Sequence, residues 1–183
     1  SGPVQSASVV FCAHLWEFVT ICADAKVIDS DLPLRRIVSG GQTGADRAAL
    51  DWAIEHDFPH GGWCPRGRRA EDGPLASRYD LEETEQESYA VRTKLNVRDS
   101  DGTVIFSLAS ELTGGSALTR DFAKKLGRNW IHLSRKTDDP AMALRRFVDE
   151  NFVETLNVAG PRASTEWEIA DFVTEVLNQA FVV

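Results

Sequence analysis

From residue 35 onward the chain alternates short apolar runs with longer amphipathic stretches, the pattern of βα units folded on a mostly parallel sheet. Runs at 36–39, 103–108, 130–133 and 155–158 predict strands, and 61–64 predicts a weaker fifth. Helices fill the intervals. Residues 46–56 put Ala49, Trp52, Ala53 and His56 on one face, and residues 116–126 do the same with Leu118, Phe122 and Leu126 before Gly127 supplies a C-terminal stop. Asp139 and Pro140 offer an N-cap and a first-turn proline for a helix running to Glu150. Thr165-x-x-Glu168 has the form of a capping box for a helix carrying Ile169, Phe172, Val173, Val176 and Leu177. The charged stretch 82–96, with Tyr89 and Leu95, also predicts a helix. Together these elements describe an α/β chain of three layers, with a mostly parallel sheet of about five strands.

Before residue 34 the pattern changes. An apolar run (Val9, Val10, Phe11, Leu15, Trp16, Phe18, Val19) precedes the loop-like Asp29-Ser30-Asp31-Leu32-Pro33. Residues 1–33 are therefore expected to form an N-terminal appendage beside a ligand-binding domain at 34–183, a length suited to one buried core. Helical spacing of Phe11, Leu15, Phe18, Val19 and Cys22 predicts a helix packed on the core or on a second subunit. The stretch 9–23 is interrupted by His14 and Glu17 and lacks both the length of a spanning helix and the basic start of a secretory signal, so no membrane is expected as a partner.

Charge narrows the candidate partners. With 43% hydrophobic and 26% charged residues the composition is that of a globular chain, and a net charge of −8 argues against general attraction to nucleic acid or anionic lipid. An anion would have to be captured locally. Cys12, Cys22 and Cys64 form neither an even set nor a C-x-x-C pair, which speaks against a disulfide framework or structural zinc and for a reducing cytoplasm.

Local capture has three candidate turns, because parallel sheets bind ligands beyond the carboxyl ends of their strands, where helix N-termini point unpaired amides outward. The first, Gly40-Gly41-Gln42-Thr43-Gly44-Ala45-Asp46-Arg47, joins the first predicted strand to a helix and is expected to be the main anion site. It is neither G-x-G-x-x-G nor G-x-x-x-x-G-K-[ST], and no acid closes the weak second strand, so ordinary dinucleotide binding and P-loop hydrolysis lose ground. The second, Gly114-Gly115-Ser116 with Thr119, adds hydroxyls, although Ser116 as a plain N-cap is the alternative. The third, Gly160-Pro161-Arg162, adds a guanidinium suited to bidentate anion recognition, or a solvated surface arginine. A basic loop, 64–73, leaves the weak strand in an otherwise acidic chain, and its Arg68 is expected at the ligand rather than in the fold. No metal ligands are assigned.

With these residues assembled, the chain resembles the putative molybdenum carrier family, a circularly permuted YpsA-like branch of the Rossmann-like superfamily that also holds the LOG-type phosphoribohydrolases. The resemblance spans about 37–173 and rests on five motifs: Gly40-Gly41-Gln42-Thr43-Gly44-Ala45-Asp46-Arg47, the run 62–73, Tyr89-x-x-Arg92-Thr93-x-x-Asn96-Val97, Ser100-Asp101-Gly102-Thr103, and Asn157-Val158-Ala159-Gly160-Pro161-Arg162. It implies a Rossmann-like fold, homo-oligomers, and binding of molybdenum cofactor or another nucleotide-like ligand, with carriage and protection from oxidation as the role. Members of that family usually carry Gly-Gly-Thr where this chain has Gly114-Gly115-Ser116, a change that keeps the hydroxyl.

The expected function is a cytoplasmic binding and carrier protein for a phosphate-bearing ligand, most simply the molybdopterin type, with molybdoenzymes or cofactor-synthesis proteins as partners. One alternative is a nucleotide-processing enzyme of the phosphoribohydrolase kind. LOG-like enzymes place a glutamate soon after their glycine turn, and the turn at 114–119 has none, which favours the carrier. Asp46, Glu71, Asp72 and Asp121 remain as acids for such chemistry. The other alternative is a nucleotide-sensing module that signals through its N-terminal appendage.

Overall fold

The computed structural model describes residues 28–183, so the helix expected at 9–23, with Cys12 and Cys22, lies outside the described residues. The chain begins with β1 (Arg36–Val38), α1 (Ala45–Glu55) and β2 (His60–Gly61). Short pieces follow: β3 (Trp63–Cys64), β4 (Arg69–Ala70), β5 (Gly73–Pro74) and β6 (Glu82–Glu83). Regular alternation then resumes with α2 (Tyr89–Arg98), β7 (Gly102–Ser107), α3 (Gly114–Leu126), β8 (Asn129–Ser134), α4 (Pro140–Glu150), β9 (Thr155–Ala159) and α5 (Ile169–Phe181).

Five strands form one parallel sheet in the order β2-β1-β9-β7-β8. The last strand of the chain thus lies in the middle of the sheet. Counted from β9 rather than from β1, the order becomes 3-2-1-4-5, the first five strands of the doubly wound arrangement, whose switch point falls between strands 1 and 4. Here that point is the seam between β9 and β7. α5 leaves β9 to pack beside α1 and α4, while α3 leaves β7 to pack against α2. The helices after the two seam strands therefore diverge and leave a crevice between them.

Inward alternation explains the layers. Val104 and Phe106 of β7 join Ile37, Leu156 and Val158 in the main core with Trp52 of α1, Leu144 of α4 and Leu177 of α5, all of them fully or almost fully buried. Phe106 meets Phe172 edge-on at 5.8 Å, and Trp52 donates to Asn178 Oδ1 at 2.9 Å, satisfying its buried N–H. Leu50, Cys64, Leu75, Tyr79 and Leu81 form a smaller cluster beneath the loop from β3 to β6. Asp139 caps α4 as its side chain accepts from Met142 N–H at 3.0 Å, and Gly127 ends α3 in the left-handed region. Residues 28–34 lie against the domain: Ile28 bridges Val182, Asp29 pairs with Arg145, and Leu32 and Leu34 are buried. Among the described residues no helix is long and apolar enough to cross a membrane.

Four expectations need correction. The weak strand at 61–64 divides, His60–Gly61 edging the main sheet and Trp63–Cys64 pairing instead with Glu82–Glu83. The start of the predicted helix at 82–96 is thereby strand, and helix begins only at Tyr89. Thr165 and Glu168 do not cap α5, because the carbonyl of Arg162 takes the amides of Thr165 (3.0 Å) and Glu166 (2.9 Å) into a separate turn and the helix starts at Ile169. On α3 the buried stripe is Ser116, Thr119 and Ala123, with Leu118 exposed, since small residues let the helix approach the crevice closely.

Candidate functional site

A cavity of about 380 Å³ opens at the seam, beyond the carboxyl ends of β7 and β9. Parallel topology builds it, because the turn after β7, the turn after β9 and the first turn of α2 converge there with Gln42 and Asp46. Of the expected ligand residues, Gln42, Asp46, Gly114, Gly115, Ser116, Thr119, Gly160, Pro161 and Arg162 line it. Gly40, Gly41, Thr43, Gly44, Arg47 and Arg68 do not.

The glycines explain this division. A methyl group added at Gly114 or Gly115 would meet nothing within 4 Å, whereas one at Gly44, whose φ is +81, would come within 2.5 Å of the carbonyl of Pro161. Gly44 thus lets the turns after β1 and β9 touch, and Gly114 and Gly115 keep the cavity open. Thr113, the N-cap of α3, makes no side-chain capping bond, which leaves the amides of the first turn facing an acceptor from outside the helix. The Thr119 hydroxyl points back to the carbonyl of Gly115 at 3.0 Å.

Asp46 and Arg92 set the electrostatics beneath. Their side chains are 3% and 12% exposed, and Arg92 Nη1 lies 3.0 Å from Asp46 Oδ2 as the guanidinium passes over Gly40. This is a charge contact rather than an aligned bond, since Asp46 Oδ2 and Arg92 Nε lack hydrogen-bond partners, as does Gln42 Nε2. Burial pushes the Asp46 carboxyl above the usual carboxylate range, against the pull of Arg92 and of the Gln42 and Gly160 amides. At the rim, the Arg162 guanidinium stacks over Tyr89 at 5.0 Å and has no carboxylate within ion-pair distance among the described residues.

Glu111 and Glu166 bring two more acids to the cavity, although the turn at 114–119 carries none. Glu166 Oε2 accepts the amide of Leu108 at 2.5 Å. On the floor, Ser107 Oγ lies 2.6 Å from the carbonyl of Ala109 and 2.7 Å from His132 Nε2; burial pushes the imidazole pKa down, with Glu166 pulling it the other way.

The arginines placed outside the cavity are occupied. Arg68 donates to four carbonyls, those of Leu75 (3.0 Å), Leu81 (3.1 Å), Ala76 (2.9 Å) and Tyr79 (2.9 Å). It organises its own loop. Arg47 binds Asp72 through two contacts of 3.2 Å and the carbonyl of Gly41 at 3.1 Å. Sequence reasoning assigns no role to Tyr89, Arg92, Thr93, Glu111, Ser164 or Glu166. The signal for α2 is present, since Tyr89, Arg92 and Thr93 stand at i, i+3 and i+4 on one helical face.

The chain is similar to known proteins. The model of the Circularly permutated YpsA SLOG family matches residues 37–181. The crystal structure, at 1.45 Å resolution, of the Putative molybdenum carrier protein from Syntrophus aciditrophicus SB superimposes with a TM-score of 0.79 at 41% identity, covering 81% of this chain and 96% of that one. None of the curated proteins compared with the chain matches it.

Proposed function

The chain belongs to the Circularly permutated YpsA SLOG family, and from that premise we propose a binding and carrier protein for a small phosphate-bearing ligand of the molybdenum cofactor type. The observation that carries the reading is the open first turn of α3, where uncapped amides and two glycines with free space face the cavity. Such a terminus accepts phosphate oxygens through backbone N–H groups, which suits an acidic chain with no general basic surface. Arg162 supplies a second anion contact, and Tyr89, Leu112 and Leu118 offer apolar surface to a planar ring. Among the described residues no three His, Cys, Asp or Glu side chains are grouped as a metal site, so a metal cargo would arrive already chelated by its organic ligand. A cytoplasmic homo-oligomer that passes its ligand to molybdoenzymes or cofactor-synthesis proteins fits this role.

Native mass spectrometry of protein prepared without oxygen from cofactor-producing cells tests the reading. The expected result is an added mass of molybdopterin bearing molybdenum. Protein carrying an ordinary nucleotide instead would transfer the site to that ligand.

A second reading has its own support in Glu111, Glu166 and Asp46, three carboxylates at one cavity that binds phosphate under the first reading. A nucleotide N-glycosidase needs a carboxylate beside its oxocarbenium-like centre, and the structure supplies candidates from loops other than the glycine turn. Chromatography of nucleoside 5′-monophosphates incubated with the protein decides it. Free base that disappears with Glu166→Gln would establish an enzyme, and unchanged nucleotides would leave the carrier.

A further inference from the structure

The turn after β1, the strongest anion motif in the sequence, already holds an anion, and it is part of the chain. Thr43 Oγ1 donates to Glu71 Oε1, while Ser164 donates through Oγ to Oε2 at 2.6 Å and through its amide to Oε1 at 3.4 Å. The amide of Glu71 is held in turn by Gln42 Oε1 at 2.9 Å. Three segments distant in sequence are thereby fastened together: the turn after β1, the loop between β4 and β5, and the turn after β9. Two hydroxyls and an amide converging on one carboxylate are the donors that a phosphate oxygen also takes. Arg162, on the same turn as Ser164, draws the carboxylate electrostatically, and the hydroxyls of Ser164 and Thr43 hold its pKa below the usual range.

The position matters as much as the chemistry. Ser164, Arg162 and Gln42 line the cavity, and Thr43 and Glu71 sit just outside it, so the carboxylate stands at the cavity's edge. Gln42 Nε2 is buried there without a hydrogen-bond partner, on a residue only 4% exposed. Glu71 itself is exposed, and β4 and β5 pair through two residues each, a ribbon of marginal stability by itself. Arg68 anchors the far side of the loop through the carbonyls of residues 75–81, which confines any opening to 69–74.

We propose that Thr43 and Ser164 form a second anion subsite beside the first turn of α3, closed in this structure by Glu71, which competes with an anionic phosphate or oxo-anion of the ligand. The inference rests on the reading that the cavity binds a phosphate-bearing ligand. A dianion with three acceptor oxygens gains more from these donors than a single carboxylate does. Movement of the loop would also open the neighbouring ion pair of Arg47 with Asp72, which costs little because its acid is half-exposed.

Calorimetric titration of the full chain with inorganic phosphate tests this, using the parent, Glu71→Gln, and Glu87→Gln, an exposed acid paired with Arg69. Glu71→Gln is expected to bind phosphate about tenfold more tightly, a gain of roughly 1.4 kcal/mol, with Glu87→Gln matching the parent. Hydrogen exchange on the parent gives a measurement independent of any variant: saturation with phosphate should speed exchange of the Glu71 amide. Equal affinity of parent and Glu71→Gln, an equal gain in Glu87→Gln, or a Glu71 amide that exchanges no faster would each overturn the latch while leaving the cavity reading in place. Absence of phosphate binding by both parent and Glu71→Gln would overturn the two together.

Discussion

Arg47, Arg68, Arg92 and Arg162 carry the same charge, and their surroundings give them different tasks. Arg92 is buried against Asp46, Arg47 is clamped by Asp72, Arg68 is spent on four backbone carbonyls, and Arg162 lies on Tyr89 at the cavity rim. Arg68→Ala should therefore act on stability, because it strands the carbonyls that its guanidinium satisfies, at a cost of about 2–3 kcal/mol. That corresponds to a melting temperature lower by roughly 4–12 °C for a domain of this size, with ligand affinity nearly unchanged. Arg162→Ala should do the reverse, weakening ligand binding about tenfold at constant melting temperature. Scanning calorimetry and titration of both variants check the pair of outcomes, and a heat-stable Arg68→Ala with weak binding would return Arg68 to the ligand. Sequence singled out Arg68 in a basic loop and expected it at the ligand, because the loop's own carbonyl partners are not visible in local pattern. Its partners are carbonyls of a loop whose path is set by burial of Leu75, Tyr79 and Leu81 around Cys64.

Among the elements, the two glycine turns use their glycines differently. The turn at 40–44 has more glycines, yet a methyl group at Gly41 would press on Leu81 Cδ1 at 2.8 Å and one at Gly44 on the carbonyl of Pro161. Both residues also have positive φ, where a side chain is strained. Gly44→Ala is expected to lower the melting temperature by at least about 2–4 °C for each kcal/mol of strain. Gly115→Val should melt near the parent, since nothing lies within 4 Å of its new Cβ, and should lose ligand binding as the branched side chain fills the cavity mouth. Thermal melts and the native mass measurement separate the two; a bound ligand on folded Gly115→Val would remove α3 from the site. Helices and strands themselves were legible in sequence because burial imposes their periodicity. The inward face of α3 was not, because its buried residues are Ser116, Thr119 and Ala123, too small or polar to register as a hydrophobic stripe.

At the scale of the whole molecule, the strand order makes a prediction about connectivity. β9 occupies the place of a first strand although it is last in the chain, and Ile28 bridges Val182, so the ends of the described domain are adjacent. A permutant of residues 28–183 that opens in the exposed turn between α4 and β9, at Phe152, and joins Val183 to Ile28 through a short flexible linker should fold with the same cavity. Circular dichroism, melting and ligand titration would verify it, and a permutant that fails to fold would show that the native chain order is required for the fold and not only the packed topology. The sequence by itself determined the α/β class, four strands of the sheet, three helices to within about two residues and the presence of glycine turns at strand ends. These follow from local periodicity, caps and backbone freedom, which are properties of neighbouring residues. Only the tertiary structure decided which turns share the cavity, that Glu111 and Glu166 join them, and that Glu71 bonds to the turn after β1. Those facts depend on β9 entering between β1 and β7, a pairing of segments more than fifty residues apart that the burial of β9 on both faces enforces and that no local pattern records.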